Sequence, residues 1–250
     1  MEPDILMLKK HIEHANIITF FGGAGVSTES GIPDYRSKDG RYTKMEEREE
    51  DPRKILNRRF ILNHPEEFFN RRRDEEELPE PNMAHPVLAK MEKRGKDIRV
   101  LTQNVDGLHQ AAGHRYVLEL HGNGRTWFCM ECEREYLPEE IERDEKNIPR
   151  CYVDNGIVRP NVTYFGENPK KHVFEKAKEV LSKSDLLIIA GTSLTVYPVK
   201  NLIHSFQGEN VIVINNDEIN TGELAVDLFI QKPVGETFEK LIKNSFRIEG

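Results

Sequence analysis

The chain has 250 residues, 37% of them hydrophobic and 32% charged, with a formal net charge of −7. That composition describes a soluble globular protein with apolar material for one large domain, or for one domain carrying a sizeable insertion. It excludes a general nucleic-acid binder, whose footprint would be basic, and no apolar run is long enough to span a bilayer.

Asp4 is expected to cap a first helix with Ile5, Leu8 and Ile12 on one side. A buried strand at residues 17–21 ends in Gly22-Gly23-Ala24-Gly25, three glycines among four residues. The polar region 37–81 contains charge runs at 45–51 and 71–77, read as solvated helix faces. Residues 82–95 read as a helix, with Asn82 as cap, Pro86 in the first turn and Gly95 as stop. Strands are expected at 98–101 and 117–120, followed by a cysteine-bearing segment at 123–156. Helices at 173–182 and 199–206 then alternate with buried strands at 186–190 and 211–215. This alternation implies an α/β fold built on a parallel sheet. Residues 1–36, 82–122 and 157–250 would form a discontinuous Rossmann-like domain, and 37–81 with 123–156 a smaller inserted one.

Gly23-Ala24-Gly25 gives a tight turn whose backbone amides can approach a pyrophosphate. The dehydrogenase fingerprint would place a third glycine where Thr28 stands, and no Gly-Lys-Ser/Thr follows as a Walker A loop requires. Taken alone, the cluster fits a structural turn as well as a binding one. Gly191-Thr192-Ser193 and Asn215-Asn216 follow later buried strands, so they sit at carboxyl edges, where open α/β sheets bind ligands. Gln103-Asn104-Val105-Asp106 follows another strand with amides for ribose hydroxyls and a carboxylate for a carboxamide NH₂. His121-Gly122 ends the next strand, and a histidine there is a natural general base.

Together with Gly31-Ile32-Pro33-Asp34-Tyr35-Arg36 and the run Val158–Glu167, these segments make the chain resemble a sirtuin, of the minimal bacterial type. The matching segments keep family order from residue 18 to about 216. The resemblance implies an NAD-dependent protein-lysine deacylase, acting on an acyl-lysine protein or peptide and forming nicotinamide, free lysine and O-acyl-ADP-ribose. It assigns NAD contacts to Gly23, Ala24, Gly25, Ser27, Asp34, Tyr35, Arg36, Gln103, Asn104, Asp106, Gly191, Thr192, Ser193, Asn215 and Asn216. His121 would be the general base, assisted by Asn104 and Asp106, and Val162, Phe165, Gly166 and Glu167 would form the peptide-docking edge. Tyr35 replaces the family's usual phenylalanine, Thr163 a commoner valine and Gly22 a usual threonine. The loop 37–45 has no Tyr-x-x-Arg of the desuccinylating type, so acetyl or another neutral acyl group is expected. An NAD-cleaving hydrolase or ADP-ribosyltransferase on the same site is the alternative, and a non-catalytic NAD-sensing module the next.

Three cysteines are too few and too odd for a disulfide framework. Met1-Glu2-Pro3-Asp4 lacks the features of a secretory leader, so a cytoplasmic protein is expected, and a monomer. Cys129-Met130-Glu131-Cys132 is one C-x-x-C knuckle, and Cys151 follows 19 residues later. Sirtuins carry a second C-x-x-C there, but this chain reads Cys151-Tyr152-Val153-Asp154. A structural zinc held by Cys129, Cys132, Cys151 and Asp154 in a zinc-ribbon-like module is expected, because zinc accepts a carboxylate oxygen. The competing reading is a decayed site.

Overall fold

The computed structural model describes residues 2–71 and 79–245. The charge run at 71–77 lies outside them apart from Arg71. In chain order the elements are α1 (Pro3–His14), β1 (Ile17–Gly22), α2 (Arg41–Glu46), α3 (Pro52–Ile55), α4 (Arg58–Asn63) and α5 (Pro65–Arg71). Then come α6 (Ala84–Lys93), β2 (Asp97–Thr102), α7 (Leu108–Ala111), β3 (Val117–Glu119), β4 (Gly122–Cys129), β5 (Glu135–Tyr136), β6 (Glu142–Arg143), β7 (Pro149–Arg150) and β8 (Val158–Val162). The chain closes with α8 (Lys171–Ser182), β9 (Leu186–Ala190), β10 (Asn210–Ile214), β11 (Leu228–Ile230) and α9 (Val234–Ser245).

Six strands form one sheet in the order β11-β10-β9-β1-β2-β3, with every neighbouring pair parallel. The chain moves outward from β1 to β3, then re-enters at β9 on the other side of β1 and moves outward again. Strand order therefore reverses between β1 and β9, where a doubly wound sheet opens a crevice at its carboxyl edge. Such strands are apolar without alternation because helices cover both faces; all five residues of β9 are buried. One face packs on Ile5, Leu8, Val87, Leu88 and Phe238 from α1, α6 and α9. The other packs on Val180 and Leu181 of α8 and on Leu202 and Ile203.

The smaller inserted domain has its own core. Ile61, Phe68 and Phe69 from the α4–α5 region pack with Trp127, Tyr136, Ile148 and Val158. There β4 pairs antiparallel with β5 and β8, so residues 158–162 belong to a three-stranded sheet rather than to the parallel one.

Several local expectations are corrected. Glu2, not Asp4, occupies the cap position of α1, and the Asp4 carboxylate accepts the Ile5 N–H inside the first turn. Residues 199–205 form a 3₁₀ stretch rather than an α-helix. Helix α6 begins at Ala84, whose N–H is accepted by Asn82 Oδ1, so Asn82 acts two residues before the helix. β11 and α9 were not expected from the sequence: β11 is only three residues long, and α9 has Gly235 in its first turn.

His85, His109 and His114 are buried together behind β1 and β2, at 0%, 1% and 7% exposure. Their ring centroids lie 4.7 Å (His85–His109) and 5.3 Å (His109–His114) apart. Burial holds His85 below its ordinary pKa and His109 well below it. As pH falls below about 6.5 the unfolded chain binds protons that these native imidazoles resist, so stability drops, by at most about 1.4 kcal/mol per pH unit for each while its native form stays neutral. Urea unfolding at pH 7.5 and 5.5 should show this loss, and equal midpoints would contradict it.

Candidate active site

One ladder aligns the strand ends. The Gly23 N–H donates to Ala190 O at 3.0 Å, Gly191 N–H to Ile214 O at 3.0 Å and Asn215 N–H to Ile230 O at 3.1 Å. On the other side Gln103 N–H donates to Gly22 O at 2.9 Å and Leu120 N–H to Thr102 O at 2.8 Å. Each predicted glycine, amide and hydroxyl segment thus leaves the sheet at one level. At the reversal point the first and fourth loops interlock, with Gly25 N–H donating to Gly191 O at 2.8 Å. A Cβ on Gly23 would lie 2.6 Å from Thr192 Cβ, and one on Gly25 2.8 Å from Gly191 Cα. Real Cβ atoms do not come that close, so both positions require glycine. After the turn come two 3₁₀ turns, Ala24–Val26 and Thr28–Ser30, and no α-helix.

Ser27 is 1% exposed and links two of the expected catalytic residues. Asn104 Nδ2 donates to Ser27 Oγ at 3.0 Å, and Ser27 Oγ donates to Asp106 Oδ2 at 2.8 Å. Asp106 Oδ1 accepts the Leu108 N–H at 3.0 Å, so this carboxylate is turned toward Ser27 and α7 rather than onto the crevice wall. Gln103 Nε2 donates to Thr192 Oγ1 at 3.0 Å. His121 Nδ1 lies 3.1 Å from the Gln103 carbonyl oxygen. A carbonyl only accepts, which assigns the proton to Nδ1 and leaves a lone pair on Nε2. Burial lowers the His121 pKa, with the Gln103 hydrogen bond opposing it.

Ala24, Gly25, Asn104, His121, Thr192 and Asn215 line one crevice of about 1580 Å³. Asp34, Tyr35 and Arg36 cover it as a loop. The Asp34 carboxylate accepts the N–H groups of Arg36 at 3.2 Å and Ser37 at 2.9 Å. Tyr35 packs on Tyr42 with ring centroids 4.8 Å apart, Tyr42 packs on Phe165 at 5.7 Å, and Arg36 reaches Ser193 Oγ at 3.4 Å. Val162, Phe165, Gly166 and Glu167 line the same space. Arg159, 5% exposed, grips Glu167 at 2.5 Å and Val162 O at 2.7 Å. Phe165 N–H donates to Leu56 O at 2.9 Å, tying this edge to the smaller domain.

Met45, Leu56, Phe68, Val196 and Tyr197 also line the crevice and were not anticipated. Nothing local marks them: the first three belong to the polar region 37–81, assigned to the small domain without a site, and the last two follow Ser193 without a motif of their own.

The profile of the Sir2 family matches residues 23–198. The chain belongs to the Sir2 family. The NAD-dependent protein deacetylase of Clostridium perfringens is 41% identical over 245 residues, covering 97% of this chain and 100% of the relative. That of Clostridium acetobutylicum is 40% identical over 237 residues, covering 94% and 96%. A Sir2 complex with p53 peptide and NAD+ superposes with a TM-score of 0.82 at 31% identity, covering 99% of this chain and 100% of that one. A Sir2 structure bound to a propionylated peptide gives 0.83 at 30% identity, with 98% and 99% covered.

Away from the crevice, Cys129, Cys132, Cys151 and Asp154 present ligand atoms all within 4.8 Å of one another. Cys132 and Cys151 Sγ are 3.7 Å apart, and Cys129 Sγ lies 3.4 Å from Asp154 Oδ1. A tetrahedron with Zn–S of ~2.3 Å and Zn–O of ~2.1 Å has edges of roughly 3.8 Å and 3.6 Å, so the four donors fit zinc. Backbone N–H groups of Glu131 and Val153 lie 3.4 Å from the sulfurs of Cys129 and Cys151. The Gly156 N–H holds Asp154 well below the usual carboxylate range and fixes its direction.

An NMR titration of His121 should give a midpoint below 6.5 and the Nδ1–H tautomer below neutral pH as far as that midpoint. A midpoint at or above 6.5 would contradict the burial argument.

Proposed function

We propose that this protein is an NAD-dependent protein-lysine deacylase whose first substrate class is acetyl-lysine peptide. The reaction transfers the acyl group from lysine to the ADP-ribose part of NAD, with loss of nicotinamide. One observation carries the reading: His121, with Nε2 left unprotonated, lines the crevice that Asn104, Ala24 and Gly25 also bound. The turn offers amides to the pyrophosphate, and Asn215 and Asn216 stand at the strand end where the adenosine would lie. Asn104 is oriented by Ser27 to meet the ribose and carboxamide, and Asp106 acts through the same serine. His121 Nε2 accepts the proton of the ribose hydroxyl that takes the acyl group. Tyr35 closes over the ribose, which excludes water while positive charge develops there.

The Gly166–Glu167 edge, rigidified by Arg159, supports backbone pairing with an extended peptide. Tyr35, Tyr42, Leu56 and Phe165 share the crevice lining with Arg41 and Lys44, so the preference for a neutral acyl group rests on the lack of a Tyr-x-x-Arg in the loop 37–45. One chain carries every residue of this site, so a monomer suffices. Its three cysteines are free, in keeping with a cytoplasmic enzyme. Among the described residues, no helix is long and apolar enough to cross a membrane. The division into a discontinuous NAD-binding domain (1–36, 82–122, 157–250) and a small domain (37–81, 123–156) is part of the same reading.

Mass spectrometry of an acyl-lysine peptide panel with NAD should show deacylation with acetyl preferred over succinyl. His121→Ala should lower kcat by about 10²–10⁴-fold. Nicotinamide release without peptide deacylation would replace this reading by an NAD-cleaving hydrolase.

We assign the Cys129, Cys132, Cys151 and Asp154 cluster to a structural zinc, whose role when bound is to cross-link the smaller domain. Metal analysis should find one zinc per chain. Asp154→Ala should lower both zinc content and Tm, and a wild-type chain free of metal at full stability would refute the assignment.

A further inference from the structure

The segment from Ala24 to Ser30 must be held from outside. Its two 3₁₀ turns are three residues each, and it has no helix or strand of its own. Yet Ser27, at its centre, orients both Asn104 and Asp106. Backbone contacts to Ala190 and Gly191 secure its beginning. Its later part is secured from two other elements. Asn82 donates through Nδ2 to Val26 O at 2.7 Å, and Ser30 Oγ accepts from the Asn82 backbone N–H at 2.8 Å and Nδ2 at 2.9 Å. Glu29 reaches across to the start of α9, accepting Gly235 N–H on Oε2 at 2.5 Å and Glu236 N–H on Oε1 at 3.0 Å.

Those two amides belong to the first turn of α9 and have no partner within the helix. A carboxylate that accepts both also meets the positive end of the helix dipole. Gly235 leaves room for the contact, since a Cβ there would lie 2.8 Å from Glu29 Oε2 and 2.8 Å from Asn82 Oδ1. The carboxylate thus does two things at once: it caps a helix more than 200 residues away and tethers the turn two residues from Ser27.

We infer that Glu29 is a positioning residue for NAD, holding the cofactor turn in register with Asn104 by anchoring it to the N-terminus of α9. The inference rests on the deacylase reading for its kinetic assay and deepens it. Glu29 touches neither His121 nor the Gly166–Glu167 edge, so its loss should act on NAD and spare the peptide.

The test is steady-state deacetylation with NAD and acetyl-lysine peptide varied separately, together with calorimetric binding of ADP-ribose, which needs no turnover. Glu29→Ala should raise the KM for NAD and the Kd for ADP-ribose about fivefold, in keeping with the loss of one cap contact, and leave the peptide KM within twofold. Gly235→Ala, which pushes the carboxylate off the amides, should move both values in the same direction. Glu29→Gln keeps one accepting oxygen and should recover most of the affinity. Glu13→Ala, which removes an exposed partner of Lys9 on α1, should change none of them. A lower Tm for Glu29→Ala with unchanged KM for NAD and unchanged Kd for ADP-ribose would reduce Glu29 to a helix cap and overturn the inference. Wild-type protein that binds ADP-ribose but deacylates nothing would overturn the functional reading alone, because the binding comparison still decides the role of Glu29.

Discussion

The structure depends on a parallel ladder that runs one residue past the end of each strand. Gly23, Gln103, Leu120, Gly191 and Asn215 each donate to the last carbonyl, or its equivalent, of the neighbouring strand. Backbone hydrogen bonding therefore sets the height at which five loops leave the sheet. Side chains separated by up to about 190 residues then meet at one edge without needing contacts of their own to bring them there. The interlock at the reversal point is the tightest part: two glycines approach Gly191 and Thr192 more closely than any side chain would allow.

This rigid edge contrasts with how the remaining walls are built. The Pro33–Arg36 loop turns on local hydrogen bonds accepted by the Asp34 carboxylate and on aromatic packing of Tyr35 against Tyr42, which in turn packs on Phe165. The Val162–Glu167 edge draws on the smaller domain through Leu56 and on a buried Arg159 whose guanidinium grips Glu167 and lies over the Phe128 and Tyr164 rings. A buried arginine is tolerable because a carboxylate and backbone carbonyls meet the donors of its two terminal nitrogens. The crevice thus lies between a wall set by the sheet and one carried by the inserted domain.

Much of the site was legible before any coordinates, because its residues sit directly after apolar runs and carry recognisable chemistry. The strands near residues 17–21, 98–101, 186–190 and 211–215 were found to within a residue or two, since buried parallel strands are continuous in hydrophobicity. Where Thr28 stands in place of the fingerprint's third glycine, the chain forms 3₁₀ turns and no α-helix. Short elements were harder to see. Three-residue β11 carries too little pattern, the 3₁₀ stretch at 199–205 has a helix-like apolar spacing, and the inserted helices α2–α5 each bury two side chains at most.

From the sequence alone came the chemistry available to the protein: a glycine turn, amides after a strand, a histidine, and three thiols with an aspartate at metal-ligand spacing. Those follow from residue identity and local order. Only the tertiary structure decided which groups face the crevice and which stand behind it. Asp106, expected at the cofactor, is turned onto Ser27, while Glu29, unremarkable in a polar stretch, ties the segment after the glycine turn to the last helix. The physical reason is that orientation is set by partners distant in the chain. The amides that hold Glu29 and the serine that engages Asp106 become neighbours only when the sheet and its helices have packed.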